Sequence, residues 1–308
     1  MKKIKVAVPA TVANLVCGFD ILGMALNDPY DIMELELIDE PVVSIKHTDE
    51  YNLPETADAN VAGVALQALI EAYEKPIGFN VIVHKNIKPG SGLGSSAAGS
   101  AGAVVAANHL LDNYFTNEDL VRFAMNGEKL ATGVKHADNV APCIYGGITL
   151  VRSAFPLDII SLASPDLYVT AVHPQIEVKT ADARQILRKD VKLKDAIKQW
   201  GNIAGLVTGI LKSDIPLISR SLEDVIIEPV RSILIPGFGI VKDLCKEAGA
   251  LGGGISGSGP SIFMLSENAT IAKQVEQEMI KVYSSMGIEY KTYVTTINSQ
   301  GVRIISSE

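Results

Sequence analysis

The sequence predicts an α+β protein of two domains. Three observations point there: a length of 308 residues, an order of strands and helices that restarts near residue 167, and a glycine loop set between a strand and a helix. At about 100–200 residues per domain, the chain is long enough for two packed cores. Apolar residues make up 47% and charged residues 20%, which fits a packed globular chain and excludes a disordered one.

Residues 3–8, 32–38 and 42–47 carry the β-branched, alternating apolar pattern of strands. Over 60–73, Val61, Val64, Ala65, Ala68, Leu69 and Ala72 fall on one helical face. Residues 79–86 alternate as a strand, the glycine loop follows, and the Ala-rich segment 97–111 has strong helix propensity. Thr116 is placed to cap a helix over 118–126, and 128–133 continues in helical character. After a strand at 146–151 the pattern restarts with a strand at 168–172 and helices over 181–187, 194–212 and 216–224. A helix at 239–248, a loop at 251–260, a strand at 261–265, an amphipathic helix at 269–286 and strands at 290–297 and 302–305 complete the chain. The boundary is expected between 153 and 165. It divides an N-terminal domain, 1–155, from a C-terminal one, 156–288, with 289–308 free to pack back onto the first.

A formal net charge of −8 argues against broad attraction to nucleic acid or an anionic membrane. The N-terminal apolar stretch is cut by Pro9 and is too short for a secretory signal, and no run reaches the roughly 18 apolar residues needed to span a bilayer. Cys17, Cys143 and Cys245 are far apart and odd in number, which fits a reducing cytoplasm. The five histidines form no HExxH-like pair, so any metal is expected to be Mg²⁺ arriving with a nucleotide.

The segment PGSGLGSSAAGSAG, residues 89–102, carries the chemistry. Gly90, Gly92 and Gly94 let the backbone turn tightly and present N–H groups to phosphate oxygens, while the helix behind them offers its positive end. A tight connection that binds nothing is the plainer alternative. No GK[ST] follows, so this is not a Walker A loop, and GSGLGS misses the dinucleotide fingerprint at its sixth position.

This loop closely resembles the phosphate-loop motif of the GHMP kinases. Two further elements of that family stand in the right order, PATVANLVCGFDILG at 9–23 and GGGISGSGPS at 252–261. The first of them, with GEKLATGVKHADNVAP (127–142), TADAR (180–184) and EPVRSILIPGF (228–238), is most similar to the homoserine-kinase branch. Val16-Cys17 departs from the smaller or glycine residues frequent there. The resemblance implies the two-domain GHMP-kinase fold, an N-terminal domain with the phosphate loop and a C-terminal ferredoxin-like sandwich, with ATP between them.

It also implies site residues. ATP would lie on Pro89, Gly90, Ser91, Gly92, Leu93, Gly94, Ser95, Ser96, Ala97, Ala98 and Gly99, with Mg²⁺ held by Ser96 and Glu128. L-homoserine would be held by Asn14, Asp20, His136, Asn139, Arg184 and Arg231, the two arginines on its carboxylate and Asp20 on its ammonium. Asn139 stands where several relatives place a catalytic aspartate. An amide is no base at neutral pH, so the expectation is that Asn139 orients the hydroxyl and the γ-phosphate takes the proton. The alternatives are another GHMP kinase, such as a mevalonate-type enzyme, and a non-catalytic small-molecule or RNA binder on a related scaffold. The oligomeric state, a homodimer among the options, is left open by the sequence.

Overall fold

The structure, a computed structural model, describes residues 2–178 and 180–308. The chain starts with β1 (Lys3–Ala13) and turns back as the long β2 (Leu22–Ile38). There follow β3 (Val43–His47), α1 (Val61–Tyr73), β4 (Gly78–His84), α2 (Ser95–Leu110), α3 (Asn117–Thr132), α4 (Val140–Tyr145), β5 (Ile148–Ala154) and β6 (Leu157–Leu162). The central run of the seven-stranded sheet is β1-β2-β4-β3, antiparallel except for the β3–β4 pair, and β5 and β6 branch from the other end of β2.

Small residues bring the helices of this domain together. α2 is buried almost all round, as an apolar helix inside a core must be. A Cβ on Gly102 would lie 2.5 Å from Val8, and one on Gly99 would lie 2.8 Å from Val61. α3 runs unbroken through Gly127 from its Thr116–Asp119 capping box. The same glycine lets α3 approach α1 and α2, since a Cβ there would meet Ser100 at 2.7 Å and the Val61 carbonyl at 2.9 Å.

The second domain runs β7 (Tyr168–Pro174), α5 (Thr180–Gln185), α6 (Leu193–Lys212), α7 (Ile215–Ser221), α8 (Glu228–Arg231), α9 (Phe238–Glu247), β8 (Gly252–Ile255), β9 (Ile262–Ser266), α10 (Ala269–Met286) and β10 (Tyr290–Thr296). Its antiparallel sheet has the order β10-β7-β9-β8, the split-βαβ arrangement of ferredoxin-like domains. α9 and α10 cover it, burying Phe238, Val241, Val275, Met279 and Tyr283 with Val172, Ile262 and Met264. β11 (Arg303–Ser307) returns to the first sheet beside β1.

Several expectations need correction. The change of sheet comes after Leu162, inside the interval 153–165 expected for the boundary, but because β6 pairs with β5 a cut at residue 155 would split a hairpin. β10 is an edge of the second sheet, and the return to the first begins after it, with Ile297 bridging Leu26 of β2 and β11 pairing with β1. The expected loop at 251–260 contains a strand, β8, whose glycines lack strand propensity. Close approach accounts for them: a Cβ on Gly253 would sit 2.0 Å from the Phe263 carbonyl.

Candidate active site

One cavity of about 340 Å³ opens between the domains, lined by the phosphate loop, the β1–β2 turn, α3, the 136–139 segment, α5, α8 and the 257–258 loop. It gathers Pro89, Gly90, Gly92, Gly94, Ser95, Ser96 and Gly99 with Asn14, Asp20, Glu128, His136, Asn139, Arg184 and Arg231. Of the residues expected on ATP, Ser91, Leu93, Ala97 and Ala98 do not line it, because their side chains are buried in the core. The backbone N–H groups of Ser91, Leu93 and Ala98 are also engaged, by the Lys88 carbonyl, the Ser91 hydroxyl and the Gly94 carbonyl.

The loop geometry suits an anion. Gly90, Gly92 and Gly94 all have φ between +70° and +79°, where an L side chain is strained. Gly94 takes the N-cap place of α2 without a side-chain cap, leaving the first-turn amides of a 16-residue helix to a ligand. A Cβ on Gly94 would also collide with Thr11 Oγ1 at 1.9 Å. The second glycine element clasps this loop from the other domain: the Ser256 hydroxyl donates to the Gly92 carbonyl at 2.6 Å, and the Ser261 hydroxyl donates to that of Ser91, also at 2.6 Å. Behind the loop, the buried Lys85 ammonium is paired with Asp31 and donates to the Ser95 carbonyl at 2.9 Å. Asp31 in turn accepts from the amides of Asn86 and Ile87, which fixes the chain as it leaves β4.

Glu128 is 1% exposed, and its Oε1 has no hydrogen-bond partner. Burial pushes its carboxyl up, while His136, with Nε2 3.4 Å from Oε2, and the nearby Ser96 hydroxyl pull the other way. A buried, unpartnered carboxylate oxygen beside a serine at a helix start fits a hard cation that brings its remaining oxygens from phosphate and water. His136 Nδ1 meets Asp138 Oδ1 at 2.9 Å. Burial alone would lower the pKa of His136, but Asp138, Glu128 and Asp20 raise it to about 9.

The β1–β2 turn holds Asn14, Leu15 and Val16 at φ of +73°, +38° and +67°. The left-handed value at β-branched Val16 is costly, and it marks the place where the chain departs from the smaller residues of its resemblance. The turn aims Asn14 so that its Nδ2 donates to the Gly257 carbonyl at 2.9 Å and its Oδ1 accepts from the Asp20 amide at 3.0 Å. Arg231, 4% exposed, donates to the carbonyls of Ala183 and Gly257, both at 3.0 Å, and meets no carboxylate among the described residues. Burial pushes its pKa down. Arg184 does meet a carboxylate: it pairs with Asp20.

Sequence reasoning missed several contributors. Phe19 lies under both guanidinium groups, 4.8 Å from that of Arg231 and 5.8 Å from that of Arg184. Thr11 donates its hydroxyl to Asn139 Oδ1 at 2.7 Å. Both stand in the N-terminal motif, which is the signal that could have flagged them. Asn60, Val61, Lys85 and Ser258 also line the cavity, and nothing in their local pattern announces it.

Two family models match the chain, the GHMP kinases N terminal domain over residues 60–147 and the GHMP kinases C terminal over 206–285. The chain is 41% identical to the homoserine kinase of Chloroherpeton thalassium, covering 99% of this chain and 100% of that protein. The crystal structure of homoserine kinase from Cytophaga hutchinsonii superposes with a TM-score of 0.94 at 48% identity, covering 98% and 97% of the two chains. An L. major mevalonate kinase structure, at 16% identity and a TM-score of 0.70 over 95% of each chain, shares the fold.

Proposed function

The chain belongs to the GHMP kinase family, and on that premise we propose that it transfers the γ-phosphate of ATP to the side-chain hydroxyl of L-homoserine. The product is O-phospho-L-homoserine, on the route to threonine. The observation that carries this reading is Arg231, a buried cation without a carboxylate partner among the described residues, in the same cavity as Asp20 and the phosphate loop. A substrate with a carboxylate, an ammonium and a terminal hydroxyl matches that charge pattern. Mevalonate lacks the ammonium that Asp20 would hold.

Phosphoryl transfer needs positioning and charge neutralisation more than covalent chemistry. The amides of Gly90, Gly92, Gly94, Ser95 and Ser96 would cradle the phosphates. Ser96 and Glu128 would hold Mg²⁺, which supplies charge neutralisation on the phosphate oxygens when bound. Asn139 accepts the Thr11 hydroxyl through Oδ1, so its amide protons remain to orient the substrate hydroxyl. Asp138 is already engaged by His136, which carries a proton at neutral pH, so it is a poor base. This supports transfer without a protein base, the proton leaving on the phosphate.

The enzyme is assigned to the cytoplasm. That reading rests on its three free, buried cysteines and agrees with the lack of a helix long and apolar enough to cross a membrane among the described residues. An ADP-release assay with L-homoserine, mevalonate and galactose tests the substrate: turnover is expected with homoserine, and turnover confined to a non-amino acceptor would overturn the assignment.

A further inference from the structure

A second cavity, of about 560 Å³, shares no lining residue with the first. It lies where the approach to the phosphate loop meets the β7–β10 edge of the second sheet, between Lys88, His173, Gln175, Glu289, Lys291 and Tyr293. Lys88 donates to the neutral Gln175 amide oxygen at 2.6 Å, and the Lys291 ammonium sits 5.2 Å over the Tyr293 ring. Neither lysine meets a carboxylate among the described residues.

His173 forms the buried floor, at 2% exposure. Gln175 Nε2 donates to its Nδ1 at 3.0 Å, which leaves Nε2 to carry the ring proton. Burial, with Lys88 and Lys291 adding to it, lowers its pKa to about 4, so the ring is neutral and a donor at physiological pH. The side chains of Lys88, Lys291, His173 and Tyr51 thus border one space, while the Tyr290 hydroxyl lies 2.9 Å from that of Ser284. The single carboxylate lining it is that of Glu289, an exposed residue.

We propose that this pocket is a second ligand site, binding a small phosphate- or carboxylate-bearing anion between Lys88, Lys291 and His173. Glu289 is placed to take an ammonium if the anion is an amino acid derivative. Lys88 immediately precedes Pro89, so the site lies beside the phosphate loop and outside the catalytic cavity.

Calorimetric titration of inorganic phosphate tests this, using the full chain saturated with Mg²⁺, a non-hydrolysable ATP analogue and L-homoserine. One saturable site is expected, weakened at least about tenfold by Lys291→Gln and by Lys88→Gln. Phosphate should also shift the His173 ring resonances in the wild type. A parallel titration with O-phospho-L-serine separates the sources: tighter binding that Glu289→Gln abolishes identifies a phosphorylated amino acid, and binding equal to phosphate identifies a simple anion. No saturable binding, or binding unaffected by both lysine substitutions, would overturn the proposal.

Discussion

The Arg184 guanidinium grips the Asp20 carboxylate through two hydrogen bonds, Nη1 to Oδ2 at 3.0 Å and Nη2 to Oδ1 at 3.1 Å. The pair joins α5 of the second domain to the β1–β2 turn of the first. The resemblance assigns these two residues to opposite ends of a zwitterion, so on the proposed function substrate entry would exchange one ion pair for two. Each side chain is about a third exposed, which limits the pair's stabilising effect to roughly 0–1 kcal/mol. Arg184→Met should therefore raise KM for homoserine about 10- to 100-fold and move Tm by less than about 4 °C. Steady-state kinetics and a thermal melt check both.

Arg231 should behave differently. Its fork is fixed by two carbonyls and by the Phe19 face, which an ammonium cannot reproduce. Arg231→Lys is expected to lose about 100-fold or more in kcat/KM for homoserine, with KM for ATP nearly unchanged. A lysine variant retaining wild-type efficiency would show that only charge matters there.

Asn139 and Asp138 separate orientation from base catalysis. Asn139→Ala should lower kcat about 100-fold, and Asp138→Asn by less than about tenfold, because a true base contributes about 10²–10⁴-fold. The reverse order, measured in folded variants, would restore a base to the mechanism.

Glu128 combines a buried carboxyl, whose ionisation burial disfavours, with an unpartnered oxygen, a local cost suited to a cation ligand. Glu128→Gln should cut kcat by about 100-fold or more and raise the Mg²⁺ concentration needed for half-maximal rate, without lowering Tm. Loss of stability together with unchanged Mg²⁺ dependence would make Glu128 structural.

His173 gives a pH signature remote from the chemistry. Its folded pKa, about 4, lies below the ordinary value of 6.5, so the unfolded chain binds the proton more readily. The stability it contributes is complete above about pH 6.5 and is lost as pH falls towards 4. Between pH 7 and pH 5 the wild type should lose about 1–2 kcal/mol more than His173→Gln in denaturant titrations.

The most legible parts of the sequence were those whose function depends on local backbone. The glycine loop declared itself because Gly90, Gly92 and Gly94 must turn left-handed, and the Thr116 cap and the 269–286 helix follow from local pattern. β8 is hidden because its glycines serve close approach, Gly252 to Leu222, Gly253 to Phe263 and Met264, and Gly254 to Glu228, against strand propensity. Phe19 beneath two arginines, Thr11 on Asn139 and the buried Lys85–Asp31 pair join segments far apart in sequence, and no local pattern encodes such meetings. The Asp20–Arg184 pairing is also invisible in the sequence, although both residues line the one cavity.

The most direct test compares kcat/KM for L-homoserine with 3-aminopropan-1-ol, which lacks the carboxylate, and 4-hydroxybutyrate, which lacks the ammonium. If Arg231 and Asp20 read the two ends of the zwitterion, each truncated acceptor should be phosphorylated at least about 100-fold less efficiently. Either analogue turning over as efficiently as homoserine would contradict that reading of the site.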